Sequence, residues 1–201
     1  SPMFVRDPRL ATPRVMAFAV PFGWILKQED FEKGLNVLLT NIKRIPPSSV
    51  DPTIKNYHWM DLVTGMLDAY EKGNDTAVFG DENNNITEGQ GFNLFCINDS
   101  GIFTPDHGVL EGITRQSIFD LAKELNLPIT KKSISAEELY SAEELFATST
   151  AGGIMPITRV SGQEIGNGKV GSLTRQLHKL YWEKHSDDSW STSITDILLN
   201  K

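Results

Sequence analysis

The stretch Asp51-Pro52-Thr53-Ile54-Lys55-Asn56-Tyr57-His58-Trp59 organises the chain around it. Pro52 locks its own φ and pushes Asp51 out of helical angles, so the stretch opens as a turn. Behind it Trp59, Leu62, Val63, Met66, Leu67 and Tyr70 recur at the 3.6-residue helical period, and Gly73 supplies a stop after Lys72. This spacing predicts a helix over 57–72, with all six side chains in the core and Lys55 at or just before the first turn. A lysine in a turn is ordinarily a solvated cation. What singles out Lys55 is the series of polar turns and helix starts downstream.

Upstream, Pro46-Pro47-Ser48-Ser49-Val50-Asp51-Pro52 is a rigid connector, and the apolar and β-branched residues 35–45 read as a strand that ends against it. Pro21-Phe22-Gly23 marks a loop. Residues 15–20 read as a further strand, while residues 1–13 are punctuated by Pro and Arg and have no apolar period. The chain therefore reads as starting inside a larger fold.

Downstream, residues 76–80 form a short buried strand, followed by a turn at Asp81-Glu82-Asn83-Asn84-Asn85. Ile86-Thr87-Glu88-Gly89-Gln90-Gly91 then sets one carboxylate beside glycines that allow close backbone approach. Residues 92–98 and 102–105 read as strands joined through Asp99-Ser100-Gly101. Leu110-Glu111-Gly112-Ile113-Thr114-Arg115 opens a second helix with Ile113, Ile118, Leu121, Ala122 and Leu125 on its apolar face; its first turn offers free N–H groups that suit a phosphate.

Residues 127–134 read as a strand. Ser135-Ala136-Glu137-Glu138-Leu139 recurs as Ser141-Ala142-Glu143-Glu144-Leu145, and each copy reads as a Ser-capped helical turn. Thr148-Ser149-Thr150-Ala151-Gly152-Gly153 is compatible with an anion cradle or with a bend whose hydroxyls satisfy themselves. A last helix turns Leu173, Leu177, Leu180 and Tyr181 inward, and the tail is polar until Ile194 and Leu198.

Composition narrows the function classes. The 201 residues carry 19 basic and 26 acidic side chains, a formal net charge of −7, with no basic stripe, which disfavours nucleic acid as a partner. Cys96 is the single cysteine and there are four histidines, so neither an internal disulfide nor a structural zinc site is available. The thiol reads as an inert core group. Residues 15–26, the longest apolar run, are broken by Pro21 and Gly23 and are too short to cross a bilayer. No targeting signal is evident, and cytoplasm is the default location. Tyr57, His58 and His107 read as solvated or capping groups near a pocket mouth, and Arg115 as a packing partner for a carboxylate.

Four segments occurring in order carry a family resemblance: Pro52-Thr53-Ile54-Lys55-Asn56 with Trp59, Ile86-Thr87-Glu88-Gly89-Gln90-Gly91-Phe92-Asn93, Gly108-Val109-Leu110-Glu111-Gly112-Ile113-Thr114-Arg115, and Thr150-Ala151-Gly152-Gly153-Ile154-Met155-Pro156-Ile157. Over residues 35–185 the chain resembles the large domain of fold-type IV pyridoxal-phosphate enzymes, the branched-chain and D-amino-acid aminotransferase group. Its wording is most similar to the (R)-selective amine transaminases. The resemblance implies an α+β, D-amino-acid-aminotransferase-like fold, a strand-rich pseudo-barrel with flanking helices. Residues 1–28 would be the end of a smaller N-terminal domain and its linker, and residues 29–201 the large cofactor-binding domain.

The resemblance also implies roles. Lys55 matches the Schiff-base lysine that shuttles the substrate proton, and Glu88 the carboxylate paired with the pyridine nitrogen of pyridoxal 5'-phosphate. Ile113 and Thr114 match backbone amides on the phosphate, Thr150 a hydroxyl that does likewise, and Leu110 the apolar residue against one ring face. The chemistry is coherent: a free lysine has a pKa of about 10.4, so it must lose its ammonium form by burial or by conversion to an imine. An anionic Glu88 would keep the ring nitrogen protonated as an electron sink.

The activity implied is transfer of an amino group from an (R)-amine or amino acid to a keto acid such as pyruvate, by a homodimer with small-molecule substrates and no nucleic-acid or membrane partner. Alternatives are a branched-chain or D-amino-acid aminotransferase, an aminodeoxychorismate lyase of the same fold, and an inactive, truncated chain that binds a partner through the edge near Val15. Met60 replaces the aromatic that branched-chain enzymes keep five residues after the lysine. The family's phosphate-binding arginine lies in the smaller domain and has no counterpart here.

Overall fold

The computed structural model describes residues 6–195; residues 1–5 of the expected N-terminal unit and Leu198 of the tail lie outside them. The elements run β1 (Leu35–Lys43), α1 (Met60–Glu71), β2 (Thr76–Gly80), β3 (Ile86–Gly89), β4 (Asn93–Asn98), β5 (Gly101–Pro105), α2 (Ile113–Glu124), β6 (Ile129–Lys132), α3 (Ala136–Tyr140), β7 (Glu144–Ser149), β8 (Gly153–Val160), β9 (Gln163–Glu164) and α4 (Ser172–Glu183). The strands form one sheet in the order β3-β2-β1-β8-β7-β4-β5-β6, with β9 paired to β8. β1 runs parallel to β2 and to β8, and β5 runs parallel to β6; the other pairs are antiparallel. The α1 and α2 crossovers make the two sequential parallel pairs possible.

The sheet curls until its ends meet. Ile86 N–H, at the start of β3, donates to the carbonyl of Ile134, just past β6, at 2.7 Å. Period-two alternation then sorts the side chains. Leu94 and Cys96 of β4, with Leu145 and Ala147 of β7, face the inside of the barrel, alongside Leu35, Val37 and Met155. Phe95, Ile97 and Phe146 face outward under α2 and α4, meeting Ile118, Leu121 and Leu177. Both expectations, the α+β class and the pseudo-barrel with flanking helices, hold.

Four local expectations do not. Residues 15–20 form no strand: they lie exposed, with no ladder partner among the described residues. On α1 the buried stripe has a different phase from the expected one. Leu62, Gly65 and Ala69 are the buried positions, whereas Trp59, Val63, Leu67 and Tyr70 are exposed and Met66 only partly covered. The sheet decides this, because the Phe79 ring of β2 fills the place where a Gly65 Cβ would stand, so only the small-residue face can approach it.

Ile113, expected on the inner face of α2, is 78% exposed because it occupies the first helical position, turned toward solvent. Finally, only the first Ser-Ala-Glu-Glu-Leu copy is a capped turn, a reciprocal Ser135/Glu138 capping box. In the second, Ser141 ends α3 and Glu144 starts β7, where its carboxylate accepts the N–H groups of Leu173 and Thr174 at 3.1 and 2.7 Å and caps α4 from a distant strand.

Cys96 is buried inside the barrel, and burial pushes its thiol up to about 12. Iodoacetamide at mildly alkaline pH is therefore expected to leave Cys96 unmodified in the folded protein and to label it fully after unfolding. Native-state labelling read by intact mass would contradict that packing. Among the described residues no helix is long and apolar enough to cross a membrane.

Candidate active site

All six residues singled out by the family resemblance line one cleft of about 270 Å³: Lys55, Glu88, Leu110, Ile113, Thr114 and Thr150. They arrive from four separate segments: the connector before α1, strand β3, the start of α2 and the turn after β7.

Two side-chain-to-backbone turns shape the Lys55 loop. The Asp51 carboxylate accepts the Thr53 N–H at 2.9 Å and the Thr53 hydroxyl at 2.7 Å, and Asn56 accepts the His58 N–H at 2.8 Å while its amide donates to Ile54 O at 2.7 Å. Lys55 sits between them, ahead of α1, and is exposed to solvent at the cleft. Of the two routes to a reactive amine, burial and imine formation, its surroundings supply the room for the second.

Glu88 is held differently. Its side chain is 10% exposed; Oε1 accepts from Arg44 Nη2 at 3.2 Å and Oε2 from the Leu110 N–H at 2.9 Å. Burial pushes this carboxyl upward, and the Leu110 N–H and the Arg44 guanidinium pull against it. Arg44 also pairs with Asp61 in the first turn of α1, and Asp61 accepts the N–H of Ile45 at 2.9 Å. Arg44 and Asp61 thus close the loop that carries Lys55. The sequence holds no local signal for either: they are one arginine after a strand and one acidic residue at a helix start.

At the third side, Gly112 begins α2 without a side-chain cap. A Cβ there would collide with Asn93 Oδ1, so only glycine lets Asn93 donate to Leu110 O at 2.8 Å and fix the entry to the helix. The Thr114 and Thr148 hydroxyls line the cleft and are buried without a hydrogen-bond partner among the described residues. Thr148 lies inside a strand and is missing from the residues the motifs single out; its only sequence signal is its place in a run of hydroxyls. Two lone donors next to an open helix N-terminus make a polar pocket suited to an anion.

The remaining candidates separate. His58 lines the cleft rim and Tyr57 is fully outside at 94% exposure. His107 is away from the cleft, bridging Asp106 and Asp81, with 3.1 Å to the latter; the Asp106 and Asp81 carboxylates raise its pKa. Arg115 is buried on Glu111, Pro105 O and Thr104, a packing role as expected.

Comparison with known proteins gives the chain its relatives. The class IV aminotransferase family model matches residues 5–160. The branched-chain-amino-acid aminotransferase of Escherichia coli K12 is 32% identical over 196 residues, covering 94% of this chain and 63% of that protein. The Pseudomonas aeruginosa PAO1 enzyme of the same description is 32% identical over 171 residues, covering 84% and 56%. The chain thus spans less than two thirds of these relatives. Among solved structures, the Escherichia coli branched-chain amino acid aminotransferase superposes with a TM-score of 0.80 at 29% identity, covering 87% of this chain and 58% of that one. The Thermobaculum terrenum branched-chain enzyme in its PLP-form gives 0.74 at 30% identity, covering 79% and 53%. With the motifs in family order and the model matched over more than half its length, this chain belongs to the class IV aminotransferases and has their fold-type IV architecture.

Proposed function

We propose that residues 29–201 are the cofactor-binding domain of a pyridoxal-phosphate-dependent aminotransferase and that residues 1–28 are the end of its smaller N-terminal domain and the linker between them. One observation carries the reading: an amine, a buried carboxylate and an open helix N-terminus with two unpartnered hydroxyls line the same cleft. These residues fit the cofactor's aldehyde, ring nitrogen and phosphate. When bound, pyridoxal phosphate supplies the electron sink that stabilises a carbanion on the substrate.

The chain's own residues do the rest. Lys55 Nζ would hold the cofactor through its aldehyde and, as a free amine, would take and return the proton of the substrate carbon. Glu88 would face the ring nitrogen and, as a carboxylate, would favour its protonated form. The Ile113 and Thr114 N–H groups, with the Thr150 hydroxyl, hold the phosphate at the positive end of α2. Leu110 presents an apolar surface to the ring.

Two substrate assignments follow from different observations. The relatives are named for branched-chain amino acids, whereas the wording of the four ordered motifs favours an (R)-amine and Met60, in place of the aromatic five residues after the lysine, counts against the branched-chain group. Turnover of (R)-amines, (S)-amines and branched-chain amino acids against pyruvate separates them: (R)-selective transfer supports the second, and transfer confined to branched-chain amino acids supports the first. Release of pyruvate from an aminodeoxychorismate-type substrate without amino transfer would overturn both in favour of a lyase.

A homodimer belongs to the same proposal. Met60, Val63, Leu67 and Tyr70 leave an exposed apolar row on α1, directly after the Lys55 loop, of the kind that a second copy covers. A monomeric mass by light scattering at working concentration would remove that part.

A further inference from the structure

Arg44, Asp61 and Glu88 form a buried group of one cation and two carboxylates, with side chains 13%, 7% and 10% exposed. Arg44 stands at the end of β1, its N–H bonded to Gly80 O at 3.1 Å. Nη1 is engaged by Asp61 and Nη2 by Glu88 at 3.2 Å. Asp61 is itself fixed by the Ile45 and Leu62 N–H groups at 2.9 and 2.8 Å. Arg44 and Glu88 border the cleft and Asp61 stands behind them.

A lone Arg44–Glu88 pair would be neutral, and its carboxylate would have little left to offer a cation in the cleft. With Asp61 also on the guanidinium, the one cation is shared between two carboxylates, Nη1 with Asp61 and Nη2 with Glu88 at 3.2 Å, and Glu88 is the one of the two that borders the cleft. Glu88 still has free lone pairs after accepting from Arg44 and Leu110, since a carboxylate accepts about four hydrogen bonds.

We propose that Arg44 and Asp61 are positioning residues for the cofactor: Arg44 aims and holds the Glu88 carboxylate, and Asp61 keeps Arg44 from neutralising it, so that the cleft presents one negative charge to a protonated ring nitrogen. This rests on the pyridoxal-phosphate reading above. Both residues act through Glu88 and neither touches the substrate.

The test is a binding cycle on the full chain. Affinities for pyridoxal phosphate and for its analogue with carbon in place of the ring nitrogen are measured by fluorescence titration. The variants are Arg44→Gln, Arg44→Lys and Asp61→Asn, in the wild-type and Glu88→Gln backgrounds, with melting curves to establish folding. Arg44→Gln and Asp61→Asn are each expected to weaken pyridoxal phosphate by about tenfold, the scale of one charged hydrogen bond, and to leave the analogue nearly unaffected. In the Glu88→Gln background both effects vanish, and Arg44→Lys recovers most of the loss. Equal loss for the two ligands, or equal loss in both backgrounds, would reduce Arg44 and Asp61 to structural residues. Failure of the wild-type chain to bind either ligand would instead sink the cofactor reading itself.

Discussion

Replacing Lys55 by alanine is expected to cut amino transfer by roughly 10⁴-fold, the upper end of what a positioned proton carrier supplies, and to remove the visible absorption of a lysine-bound cofactor. The structure makes this a clean experiment. Lys55 lies exposed in its loop, the loop's shape comes from Asp51 and Asn56, and among the described residues no hydrogen bond or ion pair holds the Lys55 side chain. An exposed substitution of this kind shifts stability by no more than about 0.5 kcal/mol, so lost activity cannot be assigned to unfolding. The measurement pairs turnover and absorption spectra with a melting curve. Turnover and spectrum both unchanged in a folded Lys55→Ala protein would dismiss Lys55 as the cofactor's anchor.

Asp61→Ala is expected to be the most damaging single change to stability among the cleft's supports, at about 2–4 kcal/mol, because Arg44 keeps Glu88 as counter-charge but its Nη1 donor is left buried without an acceptor. Asp61 also accepts the Ile45 and Leu62 N–H groups, so its loss orphans backbone donors at both ends of the loop that carries Lys55. At this chain length the cost corresponds to a melting temperature lower by roughly 4–16 °C. A conservative Asp61→Asn change, which keeps an acceptor, should cost less. Thermal unfolding followed by circular dichroism decides the matter: an Asp61→Ala protein melting within about 2 °C of wild type would show that Glu88 or solvent satisfies Arg44 without Asp61.

Much of the architecture is legible in patterns. The short apolar run within residues 92–98 marks β4, the hairpin at Asp99-Ser100-Gly101 joins it to β5, and the capping signature at Ser135 marks α3. Identical local wording at Ser141 nevertheless gives a strand, since Leu145 and Ala147 fill the barrel and Glu144 caps α4. Six candidate residues named from ordered motifs line a single cleft. Arg44 and Asp61 do not show, as their surroundings in the sequence are ordinary, and Thr148 shows only as one of a run of hydroxyls; their significance depends on what faces them.

By itself, the sequence determined the local conformations: the turn begun by Pro52, the helical period after it, the short apolar strands between turns and the glycine at the start of α2. Only the tertiary structure decided which face of α1 was buried, because that depends on the Phe79 ring across the sheet. It alone also joined Arg44 to Asp61 and Glu88, which lie 17 and 44 residues along the chain. Pairing over such distances is set by strand order and register, which no local pattern encodes. Lys55 lay in plain view, while the charged group behind Glu88 emerged only when β1, α1 and β3 were brought together.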